Sequence, residues 1–157
     1  MGRKIGYARV STTHQNTDSQ VDDLKADGCD EVFFEKVSST APLEQRHQFR
    51  ACLSVLRKGD VLSVARLDRI GRSQVEVINR LNDLQQQGIH VRTLDGLIDT
   101  QALGKLAPLV VGLLTGLSEV ERSLIQERSR ESVEHRRKTG GNLGGRPKTS
   151  DKKESLV

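Results

Sequence analysis

The sequence predicts an α/β fold: a mainly parallel sheet of four to five strands flanked by helices, followed by a long C-terminal α-helix. Short runs rich in branched and aromatic residues alternate with longer segments whose apolar residues have helical spacing. Strands separated in this way pair in parallel through right-handed crossovers. In addition, nothing interrupts the helical pattern from about Ala107 to Lys138.

The first four elements are two pairs of a strand and a helix. Thr17 and Gln20 have the spacing of a capping box, and Gly28 follows the first helix as its stop. In the second helix Phe49 and Cys52 lie on one stripe. We therefore predict a strand at Lys4–Val10, a helix from Thr17 to about Ala26, a strand at Glu31–Glu35 and a helix at about Glu44–Leu56.

Three further elements complete the predicted sheet domain. Gly59 and Asp60 turn the chain into a third strand, and Ser73 can cap the helix that follows. Gly88 ends that helix before a fourth strand. These elements are a strand at Val61–Ala65, a helix at Gln74–Gln87 and a strand at Ile89–Leu94, with Gly96–Ile98 as a possible short fifth strand.

The long helix differs from the others because its apolar residues cover a broad arc. One stripe of large apolar side chains runs along the helix, and it is widened by Val110, Leu114 and Ile125. A helix that is apolar over so wide an arc is buried on more than one side. We expect its first half to pack both on its own sheet domain and on the helix of a second copy. The predicted dimerisation residues are Leu109, Leu113, Leu117, Val120 and Leu124.

Basic residues are concentrated at the end of the chain. Residues 1–127 hold 16 Lys and Arg against 17 Asp and Glu, whereas residues 128–157 hold nine against four. Such a segment is a natural partner for an anionic polymer such as double-stranded DNA, although a solubilising tail or a plain linker has a similar composition. The long helix carries Arg128, Arg130, Arg136, Arg137 and Lys138, and a glycine-rich arm ends in Arg146 and Lys148, a narrow basic shape suited to a minor groove.

Length and composition bound the domain organisation. The 157 residues favour one domain with an appendage: an α/β domain at 1–105, a long helix at 106–138 and a basic arm at 139–157. The longest apolar run, Leu106–Leu117, is too short to cross a bilayer, so we expect no membrane association. Cys29 and Cys52 do not have the spacing of metal ligands. We expect both to be small buried residues of a protein in a reducing cytoplasm.

Arginine and hydroxyl side chains follow the first three predicted strands. Because these strands are parallel, the loops after them meet at one edge of the sheet. Four arginines there would repel each other without an anion, and phosphate is the simplest anion that uses them. Two alternatives to a phosphate site remain. Ser11 can be an ordinary turn residue, and the loop after the third strand can be a solvated basic turn. The loops supply Arg9 and Ser11, then Glu35 and Ser38, then Arg66, Asp68, Arg69 and Arg72.

The motifs that the sequence lacks narrow the chemistry. It contains no carboxylate cluster of the two-metal type, no Walker phosphate loop and no G-x-S-x-G elbow. We therefore predict that Ser11 is a nucleophile that attacks a phosphodiester without a metal or another cofactor. Asp68 is the candidate proton acceptor, although a carboxylate among arginines should have a lowered pKa and be a poor base.

Three motifs occur together here in the order found in one known family. They are Tyr7-Ala-Arg9-Val-Ser11-Thr, Arg66-Leu-Asp68-Arg69-Ile-Gly-Arg72-Ser and Glu121-Arg122-x5-Arg128. From about Lys4 to Pro147 the chain resembles the serine recombinases, the resolvase/invertase group. The resemblance implies a dimer through the long helix and a tetramer holding two DNA sites. It also implies site-specific recombination, by resolution or inversion, through 5′-phosphoseryl intermediates with free 3′-hydroxyls, subunit rotation and religation.

The same resemblance implies roles for individual residues. Ser11 is similar to the family's nucleophile, and Asp68 to a catalytic or positioning carboxylate. The phosphate-binding arginines are matched by Arg9, Arg69 and Arg72, and accessory active-site positions by Tyr7, Gln15, Gln20, Ser38 and Arg46. Glu121, Arg122, Glu127 and Arg128 match the part of the long helix where the family regulates assembly and meets DNA.

The chain departs from the family pattern at three positions and at its end. Glu35, Ser39 and His47 stand where Asp, Gly and Pro are common. Family members of this type continue into a helix-turn-helix that reads the major groove, whereas this sequence stops at Val157. We therefore expect site-specific binding by this chain alone to be weak, because only arm and helix contacts remain.

Two other functions use parts of the same pattern. A catalytically silent DNA-binding protein of this fold needs only the basic helix and arm, and predicts that Ser11→Ala changes nothing. A phosphatase acting on small molecules would use the arginines and serine but has no use for the long helix. The recombinase hypothesis uses all of these features, with DNA as the partner and no small-molecule substrate.

Overall fold

A computed structural model describes residues 2–10 and 17–141 of the chain. Its sheet has four parallel strands in the order β2-β1-β3-β4, so the first strand lies inside the sheet. The strands are β1 (Lys4–Val10), β2 (Glu31–Lys36), β3 (Val61–Val64) and β4 (His90–Thr93). The helices are α1 (Thr17–Ala26), α2 (His47–Val55), α3 (Gln74–Gln86), α4 (Thr100–Leu103) and α5 (Ala107–Thr139), with short 3-10 helices at Leu43–Gln45, Leu67–Arg69 and Gly104–Leu106.

β1 and β3 form the centre of the sheet and are buried along nearly their whole lengths. Their branched and aromatic residues favour extended backbone, and successive side chains reach opposite faces of the sheet. Ile5, Tyr7 and Leu62 are fully buried and belong to one apolar cluster with Phe49 of α2. Since burial of each such side chain contributes about 1.5–3 kcal/mol, this cluster fixes the position of the carboxyl end of β1.

The three strands that carry the predicted site residues are neighbours in the sheet. Arg9 of β1 pairs with Glu35 of β2, and Tyr7 of β1 pairs with Val64 of β3. The carboxyl ends of β1, β2 and β3 therefore lie at one edge of the sheet, and this part of the predicted arrangement is confirmed.

The possible fifth strand at Gly96–Ile98 is absent from the described sheet. Gly96 has a φ of 76° and turns the chain back on itself, and the backbone N–H of Thr93 donates to the carbonyl of Ile98 at 2.9 Å. Only an isolated antiparallel bridge between Arg92 and Asp99 remains. The tight turn leaves too few residues for a ladder, so the predicted range of four to five strands becomes four.

The second predicted helix is interrupted near its start. A 3-10 turn at Leu43–Gln45 is followed by Arg46, whose φ of −98° and ψ of 69° are not helical, and α2 begins only at His47. The prediction of one continuous helix from about Glu44 is therefore wrong at this end. The physical reason is that the side chain of Arg46 enters the core, where only 1% of the residue is exposed.

The chain divides into two compact units, one ending at Glu119 and one beginning at Val120. In the first unit, Ala107 and Val111 join α5 to the sheet domain and are each 1% exposed. This confirms that the first half of the helix packs on its own domain, but through a face that the predicted stripe does not include. At 100° per residue, Val111 lies about 200° around the helix from Leu113.

The predicted dimerisation stripe is exposed along the whole of α5. In the first unit Leu109, Leu113 and Leu117 are 60–65% exposed, and in the second unit Val120 and Leu124 are 58% and 47% exposed. Water-facing leucines at this spacing leave an apolar surface uncovered in the single chain.

One helical stretch is apolar enough to be compared with a membrane span. Thr100–Thr139 contains an 18-residue window of mean hydropathy 1.4, of which 17% is buried. By length and composition this helix could cross a membrane, although the apolar run Leu106–Leu117 within it is shorter. A single helix of this kind is weak evidence for a membrane, because core helices of soluble proteins can have the same length and mean hydropathy.

Candidate active site

Arg9, at the carboxyl end of β1, lies where the loops after β2 and β3 meet. The residue is only 3% exposed. Its Nη1 donates to the carbonyl of Val37 at 3.4 Å, and its Nη2 donates to the carbonyl of Asp68 at 3.5 Å. Both hydrogen bonds are long, so the guanidinium can exchange them for a stronger acceptor such as a phosphate oxygen.

Positive charge accumulates around Arg9. Burial lowers the pKa of Arg9, and the positive charges of Arg69 and Arg46 lower it further. Each of these effects penalises the charged guanidinium. An anion bound at this edge would remove the repulsion, which is the electrostatic property that the sequence predicted for the arginine cluster.

Arg46 lies at the centre of the buried part of the site. Its Nη2 donates to the Tyr7 hydroxyl at 2.9 Å and also to the carbonyl of Arg69. Its guanidinium carbon is 5.5 Å from the ring centroid of Tyr7 and 4.6 Å from that of Phe49, both within the range of a cation–π contact. Arg46 therefore ties the third loop to β1 and α2.

Glu35 supplies the negative charge in this network. Its Oε1 accepts a hydrogen bond from the Tyr7 hydroxyl at 2.7 Å and lies 4.0 Å from Nε of Arg46. The carboxylate also accepts from the backbone N–H groups of Gln48 at 3.1 Å and Phe49 at 3.3 Å. A carboxylate at the start of a helix is favourable because the first N–H groups have no partner within the helix.

Sequence reasoning alone missed most of this buried network. Tyr7 and Arg46 entered only through the family resemblance, and Glu35 only as a loop residue. A single arginine between Gln45 and His47 gives no periodic signal. The apolar residue three positions later, Phe49, is the only local hint of its surroundings, and it also fits an ordinary helix stripe.

The third loop adds charged residues at the same edge, where Arg66 and Asp68 are exposed and Arg69 is mostly buried. Asp68 has a side chain that is 56% exposed, and its Oδ1 lies 3.8 Å from Nε of Arg69 and 4.0 Å from Nε of Arg66. These distances are too long for hydrogen bonds, and Nε of Arg69 has no hydrogen-bond partner among the described residues. The candidate proton acceptor is therefore held loosely between two guanidinium groups.

Other predicted site residues stand apart from this cluster. Arg72 is paired with Glu76 of α3 through a contact of 3.1 Å. Ser38 is exposed, and its Oγ lies 2.9 Å from Oγ1 of Thr40. The buried Oε1 of Gln20 has no partner within the described ranges. The structure thus brings together Arg9, Arg46, Arg69 and Asp68. Arg72 and Ser38 instead contact Glu76 and Thr40, which lie outside this cluster.

Several predicted residues lie outside the described ranges. Ser11 and Gln15 follow Val10 directly, in the segment before α1, and Arg146 and Lys148 follow residue 141. Their roles stay predictions. The same holds for Thr17 as a cap of α1, because its side chain is not described.

Within the described part of the second unit, the basic residues of α5 are all exposed. Lys138 pairs with Glu134 at 2.9 Å, and Nη2 of Arg136 donates to Oγ of Ser132 at 2.8 Å. Exposed contacts of this kind are weak, so they compete poorly with an incoming phosphate. The exposed predicted DNA-binding residues are Arg122, Arg128, Arg130, Arg136, Arg137 and Lys138.

Ranges 2–10 and 17–141 contain no group of three or more His, Cys, Asp and Glu side chains that could hold a metal.

Burial raises the pKa of the Cys52 thiol to about 12, so this cysteine stays protonated and behaves as an apolar core residue. The buried position of Cys52 agrees with the prediction made for it. Cys29 is half-buried and free.

The fold and the arginine cluster define an α/β domain with a cationic sheet edge and a long C-terminal helix. A family model described as "Resolvase, N terminal domain" matches residues 4–142. The chain therefore belongs to the resolvase family, the serine recombinases, as its three motifs predicted.

Individual relatives agree with this assignment. The chain is 40% identical over 151 residues to the serine recombinase Gin of Escherichia phage Mu, covering 96% of this chain and 75% of that protein. It is 36% identical over 151 residues to the DNA-invertase Hin of Salmonella typhimurium, covering 96% and 76%. A solved structure of a resolvase family site-specific recombinase from Streptococcus pneumoniae has a TM-score of 0.64 at 22% identity and covers 87% of this chain and 99% of that one. This last likeness supports the predicted fold alone.

Proposed function

We propose that this chain is a site-specific serine recombinase that cleaves and rejoins DNA. The observation that carries the proposal is the position of Arg9: it is buried at the end of β1, two residues before Ser11, and surrounded by the positive charges of Arg46 and Arg69. A phosphodiester is the anion that fits these donors. The names of the relatives, recombinase and DNA-invertase, favour the same chemistry.

In the proposed cleavage step, Oγ of Ser11 forms a bond to phosphorus and the bond from phosphorus to O3′ breaks. The serine proton passes to a general base, and the leaving O3′ takes up a proton as a free 3′-hydroxyl. The product is a 5′-phosphoserine ester, which keeps the energy of the broken bond, so religation by the reverse step needs no cofactor. Arg9 and Arg69, with Arg72, would stabilise the charge on the non-bridging oxygens.

The buried network has a supporting role in this proposal. Tyr7, Glu35 and Arg46 hydrogen-bond among β1, β2, α2 and the third loop, and so fix the backbone from which Arg9 and Arg69 extend. Gln20 and Ser38 are proposed to join the site when DNA is bound. Asp68 is proposed to accept or orient the serine proton, because its carboxylate is exposed and lies too far from Arg66 and Arg69 for a hydrogen bond.

We also propose how the chain meets DNA and its own copies. The exposed leucine stripe of α5 would form a homodimer, and two dimers would form the synaptic tetramer. The exposed arginines of the second unit and the basic arm would follow the DNA backbone and the minor groove. The corresponding division is a catalytic domain at 1–105, a helix at 106–138 and an arm at 139–157 in a cytoplasmic protein.

Covalent trapping tests the proposed reaction. The chain is incubated with supercoiled plasmid carrying the DNA that flanks its gene, and with a nicked duplex of the same sequence from which the cleaved fragment is lost. After denaturation, mass spectrometry should find a nucleotide on Ser11, and the Ser11→Ala variant should have none. DNA that binds but is never linked would support the catalytically silent alternative, which the relatives do not favour.

A further inference from the structure

Glu76, in the first turn of α3, contacts the last arginine of the third loop. Its Oε2 accepts a hydrogen bond from Nε of Arg72 at 3.1 Å and a longer one from the backbone N–H of Arg72 at 3.4 Å. The side chain of Glu76 is 23% exposed and that of Arg72 is 53% exposed. One carboxylate oxygen therefore contacts both the main chain and the guanidinium of Arg72.

We infer that Glu76 is a positioning residue that orients Arg72 for a DNA phosphate, an inference that rests on the function proposed above. Of the guanidinium nitrogens of Arg72, Nε alone donates to Glu76. Neither Nη1 nor Nη2 donates to a residue in the described ranges. A guanidinium presents parallel N–H donors to a phosphate. A carboxylate on Nε fixes the plane of the group and leaves both Nη atoms for the non-bridging oxygens.

The backbone around Arg72 is anchored to the same helical turn. A Cβ on Gly71 would lie 2.8 Å from the backbone N of Val77, so Gly71 packs directly on α3. On the other side, Oγ of Ser73 accepts from the backbone N–H of Glu76 at 3.2 Å. Arg72 and Asp68 line the same surface depression.

Helix capping is the competing explanation for Glu76. In a capping box the glutamate would accept from the backbone N–H of the cap residue, which here is Ser73. Glu76 contacts Arg72 instead, one residue earlier. An exposed i,i+4 ion pair stabilises a helix by only about 0.3–0.5 kcal/mol, so a structural role predicts a small change in stability and no specific effect on cleavage.

Glu76→Gln tests the inference in the full chain. The matched control is Asp83→Asn, which removes one negative charge at an exposed position of the same helix. The rate of adduct formation at Ser11 is measured at saturating nicked duplex, together with DNA affinity and Tm. We expect Glu76→Gln to lower the rate about tenfold, equivalent to about 1.4 kcal/mol, while DNA affinity and Tm stay close to those of Asp83→Asn.

A second variant separates positioning from capping. If Glu76 acts through Arg72, adding Glu76→Gln to an Arg72→Lys chain causes no further loss of rate, because both changes disrupt one contact. Equal rates for Glu76→Gln and Asp83→Asn, or fully additive losses, would overturn the inference and leave the recombinase chemistry intact. A wild-type chain that forms no adduct would overturn the proposed function and the positioning role with it.

Discussion

Arg46 donates a hydrogen bond of 2.9 Å to the hydroxyl of Tyr7, and both residues are almost completely buried. The same hydroxyl donates to Glu35 at 2.7 Å. Burial raises the pKa of Tyr7 well above its usual value, and the hydrogen bond to the Glu35 carboxylate raises it further. The phenol is therefore a neutral bridge between two buried charges, and we expect it to hold the site together rather than to transfer a proton.

Tyr7→Phe should destabilise the protein without changing its fold. The substitution keeps the ring that packs on Phe49 at 4.6 Å but leaves Glu35 and Arg46 without one partner each. A buried polar group that loses its partner costs about 1–3 kcal/mol, and urea unfolding should show a loss in this range. Ser54→Ala removes an exposed hydroxyl and should change the free energy of unfolding by less than about 0.5 kcal/mol. Equal effects of the two variants would contradict the bridging role.

Gly71→Ala should displace the third loop. The backbone of Gly71 is not in the left-handed region, but a Cβ there would lie 2.8 Å from the backbone N and 2.9 Å from Cγ2 of Val77. The loop must move away from α3, at a cost of about 1–3 kcal/mol. A displacement of about 1 Å can lower a catalytic rate on the order of 100-fold, which the adduct assay measures at saturating DNA.

Gly116→Ala is the control for this substitution. A Cβ at Gly116 meets no atom within 4 Å, and alanine in a helix interior is favoured over glycine by about 1 kcal/mol. Its thermal stability should therefore rise or stay constant. If Gly71→Ala keeps both the wild-type Tm and the wild-type adduct rate, the close packing of the loop on α3 has no functional importance.

Much of the fold follows from local patterns in the sequence. β1 and α1 have the predicted bounds, and Ser73 caps α3 as its position before an apolar stripe indicates. Parallel pairing then brings the carboxyl ends of three strands to one edge, which is why the sequence alone is sufficient to group Arg9, Arg69 and Asp68. These predictions depend on the periodicity of short segments and on the alternation of strands and helices along the chain.

The buried charges could not be predicted in the same way. Whether Arg46 lies in solvent or between two aromatic rings depends on contacts with Tyr7 and Phe49 across the core. The exposed stripe of α5 raises a similar difficulty, since a pattern of leucines does not distinguish a face that packs on its own domain from one left for a partner. Val111 shows this, because it makes the intramolecular contact and lies outside the predicted stripe.

Asp60 should make stability dependent on acid pH. Burial alone would raise its pKa, but hydrogen bonds from the backbone N–H groups of Arg3 and Arg57, each 2.9 Å long, outweigh burial and hold the pKa below its ordinary value of 3.8. A carboxylate with a lowered pKa stabilises the fold fully above that ordinary value, and the contribution is lost as the pH falls through the folded-state pKa.

Asp60→Asn should therefore lower the free energy of unfolding at pH 7 by about 1.5–3 kcal/mol, the usual value of hydrogen bonds to a charged group. The difference from wild type should shrink as the pH falls below the ordinary value of 3.8 toward the lower pKa of the folded-state carboxylate. Urea unfolding from pH 7 to pH 3 measures both effects. Asp22→Asn, at an exposed position of α1, serves as the control, and a difference that is constant across this pH range would show that Asp60 acts through shape rather than charge.

Leu113→Lys should separate the proposed dimer into monomers. Leu113 is 60% exposed in the single chain, so lysine there can reach solvent and the monomer should keep its Tm. In a dimer packed through the leucine stripe the ammonium would be buried without a partner. A penalty of about 2.7 kcal/mol or more would weaken association at least 100-fold, which sedimentation velocity measures over a concentration series.

Leu97→Lys, at a 70% exposed position of the turn after β4, makes the same chemical change away from α5 and should leave the dimer intact. If both variants sediment like the wild-type chain, the stripe of α5 is not the dimer interface.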